Sequence, residues 1–136
     1  SIKLLRDQRM NIVTSAHPFA DLLGLSVDSK QSGKSTCSIA FTERLLNPNN
    51  VVHGGVIYSM ADTGMGGALM SLLGDGQHCA TIEIKMMYLK PAGHHDLVCN
   101  TEVIKQGRRV AILESEVFSG GELIAKATGS FAVFET

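Results

Sequence analysis

The rhythm of hydrophobic and polar positions changes several times along the chain, and each change predicts an element. Ile2, Leu5, Arg9, Ile12 and Val13 recur at helical spacing, so a short amphipathic helix is expected over residues 1–16, with His17-Pro18 close to its end. Residues 25–42 alternate roughly, as in STCSIAFTE, and predict two strands separated by the turn-rich SKQSGK. LNPNN (46–50) reads as a polar loop built on proline and asparagine. From Gly54 the alternation stops. VIYSMADTGMGGALMSLLG (56–74) is apolar or small almost throughout, for about five helical turns, and Gly74 and Gly76 are expected to end it. Four strand-like stretches follow: ATIEIKMMYLKP, DLVCNTEVIKQG, RRVAILESEVFSG and ELIAKATGSFAVF. Short glycine-rich turns, including PAGHHD and SGGE, join them.

Antiparallel strands in series with one long apolar helix predict an α+β domain. A helix that is apolar nearly all round must be covered on most sides, and a curved sheet wrapped around it would do this. Gly64, Gly66 and Gly67 inside the helix cost about 0.5–1 kcal/mol each relative to alanine. Tight helix–sheet packing, with another backbone approaching closely, is the expected offset. The 136 residues fit a single domain over 1–136, with the helix at 1–16 packed on it and no repeat or linker inside it.

Composition narrows the function classes. Hydrophobic residues make up 44% and charged residues 18%, a globular balance that argues against disorder. A formal net charge of −1 supplies no basic field for nucleic acid, although KQGRR (105–109) is a local basic spot. Cys37, Cys79 and Cys99 are odd in number and lack CxxC spacing, so they read as buried thiols in a reducing compartment. Charges interrupt the apolar residues of the N-terminal stretch, unlike a signal peptide, and no run reaches the ~18 apolar residues of a membrane span. The expectation is a cytoplasmic protein that engages neither membrane nor nucleic acid.

The chemistry concentrates in VVHGGVIYSMAD (51–62). The first N–H groups of a helix have no internal partner and carry the positive end of the helix dipole. Glycines at 54 and 55 leave those amides uncovered, which suits an anion or a developing oxyanion, as in acyl transfer. A glycine pair before a helix is also a common turn. Asp62 adds to the case, because a carboxylate in an apolar helix is costly unless bonded or paired. It reads either as a general base or nucleophile, or as a cap or exposed position. Eight residues of helix separate Gly54 from Asp62 by ~12 Å, so the two cannot reach one carbonyl carbon within a chain. If both act, two chains must be joined, with antiparallel helices bringing Gly54 of one towards Asp62 of the other.

The run NPNNVVHGGVIYSMAD, with the later YLKPA and KQGRR segments, resembles the hotdog-fold acyl-CoA thioesterases, specifically the branch of the phenylacetate-pathway and 4-hydroxybenzoyl-CoA enzymes. The resemblance runs from about residue 17 to the C-terminus. It implies a long helix wrapped by a five- or six-stranded antiparallel sheet, in dimers joined edge to edge that often pair into tetramers. It further implies that the Gly54 amide polarises the thioester carbonyl, with His53 and Asn47 positioning substrate or water. Asp62 of the partner subunit would be nucleophile or base, and Thr81 would help hold the attacking water. Relatives with glutamate at the position of Asp62 leave direct attack and water activation both open. Arg108, Arg109 and Lys90 fall in the region that contacts CoA, and arginine forks suit its phosphates. CoA enters as part of the substrate, and no metal or other cofactor is implied.

Other signals are weaker. His94-His95 lacks the spacing that aims two imidazoles at one metal, and His17 and His78 have no acidic or cysteine companions. No GxSxG elbow or Walker A motif occurs, and GMGG lies inside the helix. Two further readings stay beside the thioesterase: a hotdog module that binds acyl-CoA as a sensor without turnover, and a hydroxyacyl dehydratase, whose motif context HGG followed by Asp62 does not match. Tyr58, Met60, Met65, Met86 and Met87 are candidates for an acyl pocket and would serve equally as core. Aromatic and medium-chain acyl groups are both compatible with them.

Overall fold

The computed structural model of the protein describes residues 16–136, so the helix expected over 1–16 lies, apart from Ala16, outside the described residues. The element order is α1 (Pro18–Leu23), β1 (Leu25–Gln31), β2 (Lys34–Ile39), a 3-10 turn (Glu43–Leu45), α2 (Gly54–Met70), β3 (Gln77–Tyr88), β4 (Leu97–Gln106), β5 (Val110–Ser119) and β6 (Glu122–Glu135). The strands form one six-stranded antiparallel sheet in the order β1-β2-β4-β5-β6-β3. This sheet wraps α2, the hotdog arrangement that the resemblance implies.

Several boundaries differ from the sequence expectation for local reasons. His17-Pro18 opens a helix that the periodicity does not predict: the His17 ring accepts from the Ala20 amide at 3.1 Å and Pro18 takes the first helical position. Gly24, at φ +69°, then ends α1 in the left-handed region that glycine adopts freely. The β1–β2 turn is shorter than SKQSGK, because Ser32 and Gly33 both have positive φ and reverse the chain in two residues. Helix α2 stops at Met70, before Gly74, where Ser71 donates to the Ala68 carbonyl and accepts from the Gly33 amide. β3 starts at Gln77, ahead of the apolar run, because pairing with Glu135 of β6 extends it.

The core lies between α2 and the concave face of the sheet. One cluster gathers Ile39, Leu45, Val56, Ile57, Met60, Leu97, Cys99 and Val117, and a second gathers Ala61, Met65, Ala68, Leu69, Leu113 and Phe131. Between them runs a polar seam. On the inward face of β5, Ser115 separates Leu113 from Val117, and on β4 Thr101 follows Cys99. Thr101 and Ser115 share a 2.6 Å hydrogen bond, and Ser35 donates to the Gly64 carbonyl at 2.6 Å.

That seam explains Gly64. A β-carbon there would lie 2.8 Å from Thr101 Oγ1, so side-chain hydroxyls, not another backbone, make the close approach. Gly67 has ordinary contacts at 3.8–4.0 Å, and Gly66 meets nothing within 4 Å. Only the first of the three glycines fits the tight-packing expectation. Among the described residues no helix is long and apolar enough to cross a membrane.

Gly64→Ala is expected to cost about 1–3 kcal/mol by overpacking a buried, hydrogen-bonded seam. Gly67→Ala should be neutral or stabilising, because it adds helix propensity where space exists. Urea denaturation of the two variants checks the contrast, and equal stabilities would remove the steric account.

Candidate functional site

Helix α2 carries two groups of candidate residues, one at its N-terminus and one on its half-buried flank. At the N-terminus the 47–52 loop is fixed first. The Asn47 side-chain oxygen accepts from the amides of Asn49 (2.9 Å) and Val51 (3.3 Å), and its backbone N–H donates to Val51 O at 2.8 Å. Asn50 takes φ +63°, a left-handed conformation that asparagine tolerates. The side-chain oxygen of Asn47 is thereby committed to its own loop, and its NH₂ has no acceptor among the described residues.

His53 then starts the helix. Its backbone N–H donates to Leu45 O at 2.8 Å, and its ring Nδ1 accepts from the Gly55 amide at 2.8 Å. An N–H can only donate, so Nδ1 is an acceptor here and the neutral ring carries its proton on Nε2. The Gly55 amide is occupied by this bond. The Gly54 amide has no acceptor among the described residues. On the other side, the Tyr88 hydroxyl donates to the Gly54 carbonyl at 2.8 Å. Asn47, Gly54, Ile57, Tyr88 and Lys90 line one cleft of about 360 Å³. Lys90 is ion-paired with Glu122, and this contact holds the Glu122 carboxyl below its usual range.

Asp62 lies two turns further on, ~12 Å along the helix. It is half-buried at a separate cleft of about 400 Å³, whose apolar walls include Phe19, Val27, Met70 and Phe131. Thr81, on β3, donates its hydroxyl to Asp62 Oδ1 at 2.6 Å. The register brings it there: Thr81 opposes Phe131 on the inward face, just before a bulge shifts the pairing. Oδ2 of Asp62 remains for another partner. Burial and the nearby Asp62 carboxylate together push the Cys79 thiol up.

One chain therefore brings Gly54, Asn47 and Lys90 to one cleft, with His53 next to Gly54 at the helix start, and Asp62 and Thr81 to another. Arg108 and Arg109 are exposed in the β4–β5 turn. The adjoining Val110 opposes Ala132, which opposes Ala80, so the two arginines sit at the Asp62 end of the sheet, away from Lys90. Among the described residues no group of three His, Cys, Asp or Glu is arranged to hold a metal ion. His94 contacts the Asn50 carbonyl at 3.1 Å and stacks on Phe41, a structural use of the ring.

The pocket candidates divide. Met60 and Met65 are fully buried core, Met86 packs against both core clusters, and Tyr58 and Met87 are exposed. The sequence pattern does not single out Tyr88, although it continues the inward alternation of Ile84 and Met86. Phe19, Val27, Met70 and Phe131 give no comparable signal, because they come together only in the folded chain.

A long helix inside an antiparallel sheet, with one uncommitted amide at its start and a bonded carboxylate on its flank, defines a hotdog domain. Residues 49–126 match the model of the thioesterase superfamily, and the chain belongs to that superfamily. A Halobacterium salinarum protein whose name marks it as an esterase candidate is 31% identical over 130 residues, covering 87% of this chain and 85% of that one. A solved conserved protein of Pseudomonas aeruginosa is 32% identical with a TM-score of 0.82, covering 88% of this chain and 94% of that one. A mutant of the phenylacetic acid degradation protein of Thermus thermophilus is 26% identical with a TM-score of 0.78, covering 85% and 97%. Family membership supports thioester hydrolysis as the general activity.

The charge of Asp62 at its cleft can be read through Cys79. Asp62→Asn removes a cause that raises the thiol's pKa, so more thiolate should be present near pH 8. Iodoacetamide should then alkylate Cys79 severalfold faster, while the buried Cys37 and Cys99 stay unlabelled in both proteins. An unchanged rate would mean that Asp62 carries no charge felt at Cys79.

Proposed function

We propose that the chain is an acyl-CoA thioesterase whose active sites are each built from two subunits. The observation that carries this reading is the 2.6 Å bond from Thr81 to Asp62, which orients a carboxylate at an apolar cleft and leaves one of its oxygens free. Asp62 is half-buried at this cleft, so its second oxygen is open to water or substrate there. The uncommitted Gly54 amide is the complementary half, and helix geometry keeps the halves ~12 Å apart in one chain. Two antiparallel copies of α2 about a two-fold axis join them. The flank of α2 around Asp62 carries Ser59, Thr63 and Gly66, residues small enough for a second helix to approach.

In the composite site the thioester oxygen accepts from Gly54 N–H of one subunit. Asn47 and His53 of that subunit orient the substrate or water. Asp62 of the other subunit takes a proton from water, whose oxygen attacks the carbonyl carbon, while Thr81 holds the carboxylate. Collapse of the oxyanion breaks the C–S bond, and the proton passes to the CoA thiolate. Direct attack by Asp62, giving an acyl-aspartyl anhydride that water then cleaves, uses the same groups. The chemistry needs no metal or redox cofactor, and CoA enters only with the substrate. Arg108 and Arg109 from the Asp62 subunit and Lys90 from the Gly54 subunit would border the same composite site, where they meet the CoA phosphates. Phe19, Val27, Met70 and Phe131 suit a ring or a medium chain.

Release of free CoA, followed with a thiol-reactive dye over aryl- and alkyl-acyl thioesters, tests the class and ranks the acyl groups. Asp62→Asn should lose about 100-fold or more in kcat. Gly54→Pro removes the helix's first amide at a position where proline is tolerated, and its ring also presses on the Tyr88 phenol. Each variant alone should be nearly inactive, but mixed dimers of the two should recover activity at one of their two sites. Mixed dimers as dead as their parents would exclude the shared site. Binding without turnover by the unaltered protein would favour a sensor.

A further inference from the structure

Tyr88 stands at an inward-facing position of β3, opposite Ala125, yet it is 53% exposed and does not belong to the core. Its ring lies across the start of α2. A β-carbon on residue 54 would be 3.1 Å from the phenol oxygen and 3.2–3.3 Å from Cζ and Cε1. The hydroxyl donates to the Gly54 carbonyl at 2.8 Å. In an α-helix that carbonyl also accepts the amide four residues on, here Tyr58, so it receives two donors.

The same peptide unit continues on its other side. Its N–H belongs to Gly55 and donates to His53 Nδ1 at 2.8 Å. Tyr88 hydroxyl, Gly54–Gly55 peptide and His53 imidazole thus form one hydrogen-bonded chain. Bonds in such a series polarise one another by roughly 10–30% each. Two adjacent glycines have the widest backbone freedom of any pair, so a peptide between them needs external tethers to keep one orientation. This peptide has one at each end.

The geometry points to Tyr88 as a positioning residue for the oxyanion site: through the Gly54–Gly55 peptide it holds the Gly54 N–H on its target and fixes His53 with Nε2–H outward. The assignment rests on the Gly54 amide serving as the oxyanion donor proposed above. Burial, with a smaller effect from the Tyr58 phenol, pushes the Tyr88 hydroxyl above its usual range, so it stays protonated and able to donate. The ring alone could act as a packing wall. The hydroxyl is what distinguishes positioning from packing.

Tyr88→Phe isolates it, because the ring is kept. With the best thioester found by CoA release, kcat should fall about tenfold, less than the loss of an oxyanion donor itself, with KM within about twofold. The melting temperature should stay close to that of the unaltered protein. The amide signals of Gly54 and Gly55 and the His53 Nδ1 resonance, read by nitrogen-15 NMR, should shift. Unmoved signals, or moved signals with unchanged kcat, would overturn the assignment. A fall in kcat that tracks a fall in melting temperature while the signals stay put would make Tyr88 a packing residue, which also overturns it. If the unaltered protein cleaves no thioester, the functional reading fails by that result alone. The signals then decide whether Tyr88 holds the peptide.

Discussion

Burial of α2 against the concave face of the sheet is the interaction on which the rest of the structure depends. Met60, Ala61, Met65, Ala68 and Leu69 are fully buried along it, and full burial of each large side chain is worth about 1.5–3 kcal/mol. A single helix can supply so much only if the sheet curves around it, and the order β1-β2-β4-β5-β6-β3 puts β2, β4, β5 and β6 inside with β1 and β3 as edges. The sheet does not close. One flank of α2 stays uncovered, and Ser59, Asp62, Thr63, Gly66 and Met70 fall on it at helical spacing. Asp62 therefore avoids the cost of a carboxylate inside the core while lying next to it.

The core is not uniformly apolar. The seam of Ser35, Thr101 and Ser115 divides it into two clusters under the middle of the helix. Its hydroxyls bond one another and the Gly64 carbonyl, so their burial leaves them satisfied. Such bonds have fixed directions, unlike apolar contacts, and they set the axial position of α2 over the sheet. That position decides what meets at each end: Tyr88 reaches Gly54, and Thr81 reaches Asp62. A helix displaced by one turn, about 5.4 Å, would lose both pairs.

The candidate site inherits its division from the same helix. An amide at the first position and a carboxylate eight residues on are held rigidly apart. Rigidity suits a site that needs fixed dipoles, because nothing has to reorganise as charge develops. In the proposed mechanism it also leaves completion of the site to a second chain. The long β3 edge, with Ile82 at 56% and Leu89 just beyond it at 54% exposure, and the bare flank of α2 are surfaces of the kind such an assembly covers.

The sequence by itself determined the alternation of elements, the α+β class, the helix beginning at Gly54 and the impossibility of Gly54 and Asp62 meeting in one chain. These follow from periodicities of about 2 and 3.6 residues and from helix rise, which are local properties of a chain. His53, Gly54 and Asp62 stood out because HGG and a carboxylate in an apolar run violate local expectation, whereas Asn47 and Thr81 were named only through the family resemblance. The tertiary structure alone decided which of them meet: Thr81 with Asp62, Tyr88 with Gly54, Lys90 with Glu122, and the hydroxyl seam against Gly64. It also decided that His17-Pro18 opens a helix and that Gly64, not its neighbours, is held by packing. Most of these depend on strand register and on the position of α2 over the sheet. Those are set by contacts between residues 19, 29 and 34 positions apart in the chain, where no local pattern reaches.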